Sequence, residues 1–375
     1  MIFVTGHFYG YLASLASHSS TEYLYSAIIC YPLLNSYPFL ILKQPQNILI
    51  RLPNWLGDMV MSTAFVKAVQ QQYPNAAIDV IAKKGIDFLL DYFPKYNQHF
   101  IFDKEAYKGL SGAYKFGKQL RQQKQYDIFF CLPDSLSSAV MAYGTGATKR
   151  AGFKKELRSI LLTNAYQKKK SLHRVEEYVD LLQQFIKTTI AVPPVELNLP
   201  LKEKKNAVII NINSEASSRR LPAAKAVSII NAVRKQITEE IILIGSPKEK
   251  VFVDEVYQQI DDKNNIINTA GKTTLQELVN LLGNCPVMLT TDSGPAHVAN
   301  ALGTHTVVLF GAGNENNTAP YNKNNCSIIR LAQLPCEPCV NNICKLYDTP
   351  KCLAMLDENI IVQQVIAAIK TKQTS

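Results

Sequence analysis

Three groups of residues in this chain could do chemistry. Asp292-Ser293-Gly294-Pro295-Ala296-His297 follows an apolar run, Val287-Met288-Leu289-Thr290, that reads as a buried strand. Gly294 lets a backbone come close to a ligand. Pro295 suits the first helical position, where its missing N–H costs nothing, and the free N–H groups of such a helix can hold a phosphate. Asp and Ser are also ordinary helix caps, so a capped helix without a ligand accounts for the same residues. Arg219 and Arg220 lie on a loop after a second apolar strand, and guanidinium groups suit diphosphate oxygens. A surface pair at a helix start is the plainer account of them. Asp58 sits beside Gly57 at a strand–turn–helix junction, placed either to take a proton from an attacking hydroxyl or to cap the helix.

The elements that must position these residues alternate regularly. Residues 47–52 form a short buried strand by their apolar run, followed by the turn Pro53-Asn54-Trp55-Leu56-Gly57-Asp58 and a helix from about Met59 to Gln72. Strands are predicted at 78–81, near 99–102 and at 127–132, with helical stretches between them. The series restarts with strands at 207–212, 241–245 and 265–268 and a helix opened by Pro222 that reaches about Gln236. The stretch 287–321 supplies two further strands around a short helix at 298–302 and completes the second sheet, and a terminal helix spans about Glu358 to Ile369. This alternation is the pattern of parallel sheets with crossover helices. Val192-Pro193-Pro194-Val195 and the Lys-rich run 202–205 mark a boundary. The predicted organisation is an extension at 1–45, a first domain at 46–192, a linker at 193–205 and a second domain at 206–375.

Charge is concentrated in one region. Residues 101–175 carry fifteen Lys and Arg against five Asp and Glu, an excess equal to the formal net charge of the whole chain, +10. Such a patch favours an anionic partner, although a solvated basic face is the commoner outcome. No recognisable nucleic-acid-binding motif accompanies it, so nucleic acid is not expected as the partner. The extension is rich in Tyr, Leu, Ser and Ile, with Glu22 its only charged residue before Lys43. It lacks the basic start and clean apolar stretch of a signal peptide, and Pro32, Asn35 and Pro38 interrupt any spanning helix. A tail without catalytic role and a reducing cytoplasm are expected. Cys336, Cys339, Cys344 and Cys352 have ligand-like spacing but fit no standard zinc ribbon, so no metal is assigned; a structural zinc or iron–sulfur site is the alternative.

In combination these motifs resemble glycosyltransferase family 9, the ADP-heptose:lipopolysaccharide heptosyltransferases, closest to the heptosyltransferase II branch. Leu52-Pro53-Asn54-Trp55-Leu56-Gly57-Asp58-Met59-Val60-Met61-Ser62 is similar to the family's N-terminal motif. Glu215-Ala216-Ser217-Ser218-Arg219-Arg220-Leu221-Pro222 resembles its basic loop. Asp292 to His297, Leu309-Phe310-Gly311 and Thr318-Ala319-Pro320-Tyr321 match its nucleotide-sugar region in order. The resemblance implies a GT-B fold, two Rossmann-like domains facing a cleft, and inverting, metal-independent transfer of heptose from ADP-heptose to the lipid-linked inner core of lipopolysaccharide, without a cofactor. It implies Asp58 as catalytic base. Donor-binding positions are Ser217, Arg219, Arg220, Glu249, Asp292, Ser293, Gly294 and His297; acceptor-binding positions are Asn54, Trp55, Lys154 and Arg158. No Asp-x-Asp motif occurs, consistent with transfer that needs no carboxylate-held metal. A cytoplasmic protein, peripheral on the inner face of the inner membrane, is expected. The chain departs from the family pattern at Asn211-Ile212-Asn213, Leu221 and Ala312-Gly313-Asn314. The alternatives are a family-9 transferase for another nucleotide sugar and a nucleotide-dependent oxidoreductase. The latter requires a Gly-x-Gly-x-x-Gly turn; Gly311-Ala312-Gly313 lacks the third glycine, where Asn316 stands, and Gly144-Thr145-Gly146 lacks it at Lys149.

Overall fold

A computed structural model describes residues 44–200 and 205–373. The predicted tail at 1–45 and the Lys-rich run at 202–205 fall almost wholly outside the described residues.

The first half runs β1 (Asn47–Arg51), α1 (Leu56–Met61), α2 (Thr63–Gln72), β2 (Ala77–Lys83), β3 (Gln98–Phe102), α3 (Gly109–Gln123), β4 (Ile128–Cys131), α4 (Leu136–Thr145), β5 (Lys149–Phe153), β6 (Asn164–Tyr166) and α5 (Arg174–Ile186). The second runs β7 (Ala207–Asn211), α6 (Ala223–Arg234), β8 (Glu240–Leu243), α7 (Lys250–Gln258), β9 (Ile266–Asn268), α8 (Leu275–Asn284), β10 (Val287–Thr291), α9 (Gly294–Ala301), β11 (His305–Phe310), α10 (Glu315–Thr318), β12 (Cys326–Arg330), α11 (Lys351–Ala354) and α12 (Glu358–Gln373). Each half forms a six-stranded sheet, in the orders β3-β2-β1-β4-β5-β6 and β12-β11-β10-β7-β8-β9. Every pairing is parallel. Read within its own half, each sheet has the order third-second-first-fourth-fifth-sixth. The order reverses between β1 and β4 and between β7 and β10, and such reversals open the crevice where doubly wound sheets bind ligands. The expected α/β architecture is present twice.

Central strands are apolar on both faces because helices cover both faces. Ile48, Leu49, Ile50, Phe129 and Phe130 are fully buried, as are Val208 and Ile209 in the second sheet. One continuous apolar core joins the halves and contains Phe65, Phe130 and Leu181 of the first, Leu197, and Ile209, Leu282, Met288 and Val298 of the second.

The departures from expectation have physical causes. The helix expected from Met59 begins at Leu56 and breaks at Ser62, whose hydroxyl donates to the Met59 carbonyl and competes with the helical bond. The helix expected at 298–302 begins at Gly294, so Pro295 lies one position inside it. Strands β5, β6 and β12 were not expected. The first carries Lys149, Arg150 and Gly152, the second is only 3 residues long, and the third is a half-exposed edge. Thus β12, not the 287–321 stretch, closes the second sheet.

Candidate active site

Asp58 leaves the carboxyl end of β1 inside the first turn of α1. The N-cap there is Trp55, which makes no side-chain capping bond, so Asp58 is not the cap. Its carboxylate instead faces α5. Tyr178 donates its hydroxyl to Asp58 Oδ1 at 3.3 Å, and Arg174 Nε stands 3.4 Å from the same oxygen. Burial pushes the Asp58 carboxyl above its ordinary value, while the Arg174 cation and the Tyr178 hydrogen bond pull it down. Arg174 is itself fixed by Glu177, which accepts from its Nη1 at 2.6 Å. Lys168 then bridges Glu177 at 2.9 Å and Asp134 at 2.6 Å. The spacing of this support is visible in the sequence: Arg174 and Tyr178 are four residues apart and so share one helix face.

The second cluster lies at the carboxyl ends of β7 and β10. Arg219, in the 3-10 turn Ser217–Arg219, places Nη1 3.1 Å from the buried Asp292 Oδ2. Burial raises the Asp292 carboxyl, and Arg219 and Arg330 oppose the rise. Gly313 presses against this carboxylate: a Cβ there would lie 2.1 Å from Oδ2, a contact no side chain can make. Arg330, on the unexpected strand β12, donates to the carbonyls of Gly311 and Gly313 and pairs with Glu315. It thereby fixes the turn after β11. Asn211, one of the departures from the family pattern, donates to Ser293 Oγ at 2.9 Å and to Thr290 Oγ1 at 3.1 Å. Among the described residues, several of the buried polar atoms without a hydrogen-bond partner lie here, on Asn213, Arg219, Arg220 and Arg330, with Asp292 Oδ2 met only by the Arg219 ion pair; others lie on Asp134, Arg158, Arg174 and Glu337. Buried polar atoms normally have partners, so such a gathering marks a place built to meet polar groups of a ligand or water.

The two clusters meet where α1 crosses α9. A Cβ on Gly57 would lie 2.6 Å from His297 Cδ2, and one on Gly294 would lie 2.9 Å from Leu56 Cδ2. The two glycines let the helices touch, so the bare face of Gly294 meets Leu56 rather than a ligand. The donor set at the start of α9 is also smaller than expected. Pro295 has no N–H, and the Ala296 N–H bonds the Ser293 carbonyl at 3.2 Å. His297 is buried beneath the crossing, and burial together with His173 and Arg219 lowers its pKa to about 4. It is a neutral imidazole. A second contact ties the halves together: His173 Nε2 meets the Ala319 carbonyl at 2.9 Å, and Asn317 donates to the Leu172 carbonyl at 3.0 Å. The Thr318–Tyr321 motif therefore abuts the start of α5.

The remaining expected positions divide. Arg220 turns from Asp292 and lies over the Phe252 ring, 5.3 Å from its centroid, with Nη2 donating to the Ser214 carbonyl. Ser217 donates to the Asn342 carbonyl at 3.3 Å, so the cysteine-bearing loop braces the Arg219 turn. Glu249 accepts from the Ser246 N–H at the start of α7. Asn54 accepts from Arg51 at 2.6 Å, Trp55 is exposed beneath Lys83, and Lys154 is exposed. Arg158 is a correction. It is 1% exposed, and its guanidinium donates to the carbonyls of Phe153 and Pro133. A side chain so enclosed is structural and cannot meet an acceptor. Cys336, Cys339, Cys344 and Cys352 are free thiols, and among the described residues no three His, Cys, Asp or Glu side chains gather as a metal site.

The family model described as Glycosyltransferase family 9 (heptosyltransferase) matches residues 113–349. Lipooligosaccharide heptosyltransferase 2 of Haemophilus influenzae is 31% identical over 318 residues, covering 76% of this chain and 89% of that one. The chain belongs to glycosyltransferase family 9. Lipopolysaccharide heptosyltransferase 2 of Escherichia coli is 29% identical over 308 residues, covering 76% of this chain and 88% of that protein. The solved structure of Escherichia coli ADP-heptose lps heptosyltransferase II has a TM-score of 0.74 at 23% identity, covering 88% of this chain and all of that one. The two facing sheets are thus a GT-B fold. Family membership makes the protein a glycosyltransferase and removes the oxidoreductase alternative. The carbonyls of Gly311 and Gly313, the nearest approach to the Gly-x-Gly-x-x-Gly turn it requires, are held by Arg330, and Gly313 presses on Asp292 while Gly311 packs against Cys352 and Leu353.

Proposed function

We propose that the protein transfers heptose from ADP-heptose to the inner core of lipopolysaccharide, with the acceptor on residues 46–192 and the donor on residues 206–375. The observation that carries this reading is the crossing of α1 and α9. It brings the helix that carries the part-buried Asp58 carboxylate against the helix that opens two residues after Asp292, the partner of Arg219. Asp58 takes the proton of the acceptor hydroxyl as that oxygen bonds the anomeric carbon. The bond from that carbon to the diphosphate breaks, and ADP leaves with the electron pair. Attack opposite the departing group inverts the anomeric centre. A carboxyl raised by burial yet held ionised by Arg174 is a stronger base than an ordinary aspartate at neutral pH. Arg219 and the start of α9 meet the charge that develops on the diphosphate. The absence of an Asp-x-Asp motif supports transfer without a bound metal. A lipid-linked acceptor supports a cytoplasmic protein peripheral on the inner membrane.

The test pairs Asp58→Asn with calorimetric titration of ADP, UDP and GDP. Turnover should fall by about 10²–10⁴, ADP should bind in preference to the others, and its affinity should be the same in the variant. Normal turnover by Asp58→Asn would sink the assigned base. Preference for UDP or GDP would keep the transferase and replace the donor.

A further inference from the structure

Between β5 and β6 the chain makes the 3-10 turn Glu156–Leu161. Leu157 is 71% exposed and Ile160 81%, more than any other large apolar side chain among the described residues. Residues three apart eclipse on a 3-10 helix, so these two share one side. The opposite side is nailed down by Arg158, whose Nη1 donates to the Phe153 carbonyl at 2.7 Å and Nη2 to the Pro133 carbonyl at 3.1 Å. A Cβ on Gly152 would lie 3.2 Å from Arg158 Nη2, so the end of β5 is kept small where the guanidinium passes. Leu162 closes the turn into the core. The outward display of Leu157 and Ile160 is therefore built in rather than a loose loop.

Lysines flank the pair in the chain. Lys154 and Lys155 precede the turn, which also carries the exposed Glu156, and Lys170 follows β6, whose last residue, Tyr166, accepts from the Lys154 N–H. All three are exposed and have no acidic partner among the described residues, whereas Lys168 and Lys169 are paired with acids. Because β1, β4 and β5 run parallel, this turn and Asp58 both follow the carboxyl end of the sheet.

We propose that this face docks on an anionic bilayer. Leu157 and Ile160 enter the boundary between headgroups and acyl chains, and Lys154, Lys155 and Lys170 lie on the lipid phosphates. Two held-out aliphatic side chains flanked by three unpaired lysines against one acid, Glu156, fit such a boundary. A single-stranded nucleic acid would instead call for stacking rings. The docking presents the sheet end that carries Asp58 to a lipid-linked acceptor; this purpose rests on the proposed reaction, but the contact is measurable without it.

The test is co-sedimentation of the full chain with vesicles of phosphatidylcholine alone and of phosphatidylcholine with phosphatidylglycerol. The unmodified protein should bind the anionic vesicles and lose binding as salt is raised. Leu157→Ser/Ile160→Ser should lower its partition by about tenfold or more, since each side chain gives up apolar contact with lipid. Its melting temperature and its transfer onto a delipidated, water-soluble core oligosaccharide should not change. Loss of vesicle binding in the variant supports the docking even if neither protein transfers heptose, in which case the reaction assigned above fails separately. Equal binding by variant and unmodified protein would place the contact elsewhere, residues 1–43 included, and overturn the proposal, as would a protein that ignores anionic vesicles.

Discussion

Replacing Arg174 with Gln should move the acid limb of the pH–rate profile upward and leave the rate at high pH nearly intact. Arg174 Nε stands 3.4 Å from Asp58 Oδ1, with the two side chains 33% and 25% exposed. At an effective dielectric of about 20, unit charges at that separation attract by roughly 5 kcal/mol. Partial exposure screens this severalfold, and Glu177 already draws on the same guanidinium at 2.6 Å. A residual of about 1.5–3 kcal/mol corresponds to a shift of about one to two pH units. The sign follows from the competing causes. Burial holds the Asp58 carboxyl high and Arg174 pulls it down, so removing the cation lets it rise further. At a given acid pH, more of the enzyme then carries a protonated Asp58 that cannot accept the acceptor's proton. The assay is the initial rate of ADP release at saturating donor and acceptor between about pH 5 and pH 9, which reads the base in the bound complex. Tyr178→Phe should shift the limb in the same direction by under about one unit, because it removes one long hydrogen bond rather than a charge. An unmoved limb in Arg174→Gln, or an equal fractional loss at every pH, would refute the coupling and assign Arg174 to substrate contact.

Gly313→Ala should weaken ADP binding and lower stability by about 1–3 kcal/mol, because its Cβ would fall 2.1 Å from Asp292 Oδ2; calorimetry and a urea midpoint read the two effects. Unchanged ADP affinity in a destabilised variant would separate Asp292 from the donor. Arg158→Met should cost about 2–3 kcal/mol of stability by stranding two buried carbonyls, with the acceptor KM unchanged in the folded protein. A raised acceptor KM at unchanged stability would return Arg158 to the acceptor site.

The sheets were legible because their central strands are short unbroken apolar runs, such as Ile48-Leu49-Ile50 and Val208-Ile209-Ile210. Edge strands escaped because one side of each meets solvent or a loop, and their composition turns polar, as in Lys149–Phe153. The positions of Asp58, Arg219 and Asp292 at strand ends were legible from the apolar runs that precede them. Their supports were not, because a support is defined by contact. Arg174 and Tyr178 come from a helix more than a hundred residues beyond Asp58, and Arg330 comes from an edge strand. Arg158 was misread for the same reason: in a basic region every cation looks like a ligand contact, and only burial separates the one that holds carbonyls from those that face solvent.

The glycines carry the more general consequence. Gly294 reads naturally as a point of ligand approach, yet it and Gly57 are bare because the opposite half of the molecule touches each there. The residue after Gly57 is the carboxylate, and Gly294 opens the helix beside Asp292, so the glycines that join the halves also set the spacing of the two chemical clusters. His297 lies beneath that crossing with a pKa lowered to about 4. A histidine with a depressed folded pKa contributes stability that is present above its unfolded value, near 6.5, and is lost as pH falls toward the folded value. Mild acid therefore acts on two points of one structure. It favours the unfolded chain, whose His297 takes up a proton that the fold, where α1 meets α9, refuses until pH falls to about 4, and it moves Asp58, one residue beyond that contact, toward its protonated form. Charge on the imidazole also opposes Arg219, the cation assigned to the diphosphate. The fit between the halves and the charge states needed for transfer thus favour the same side of neutral pH.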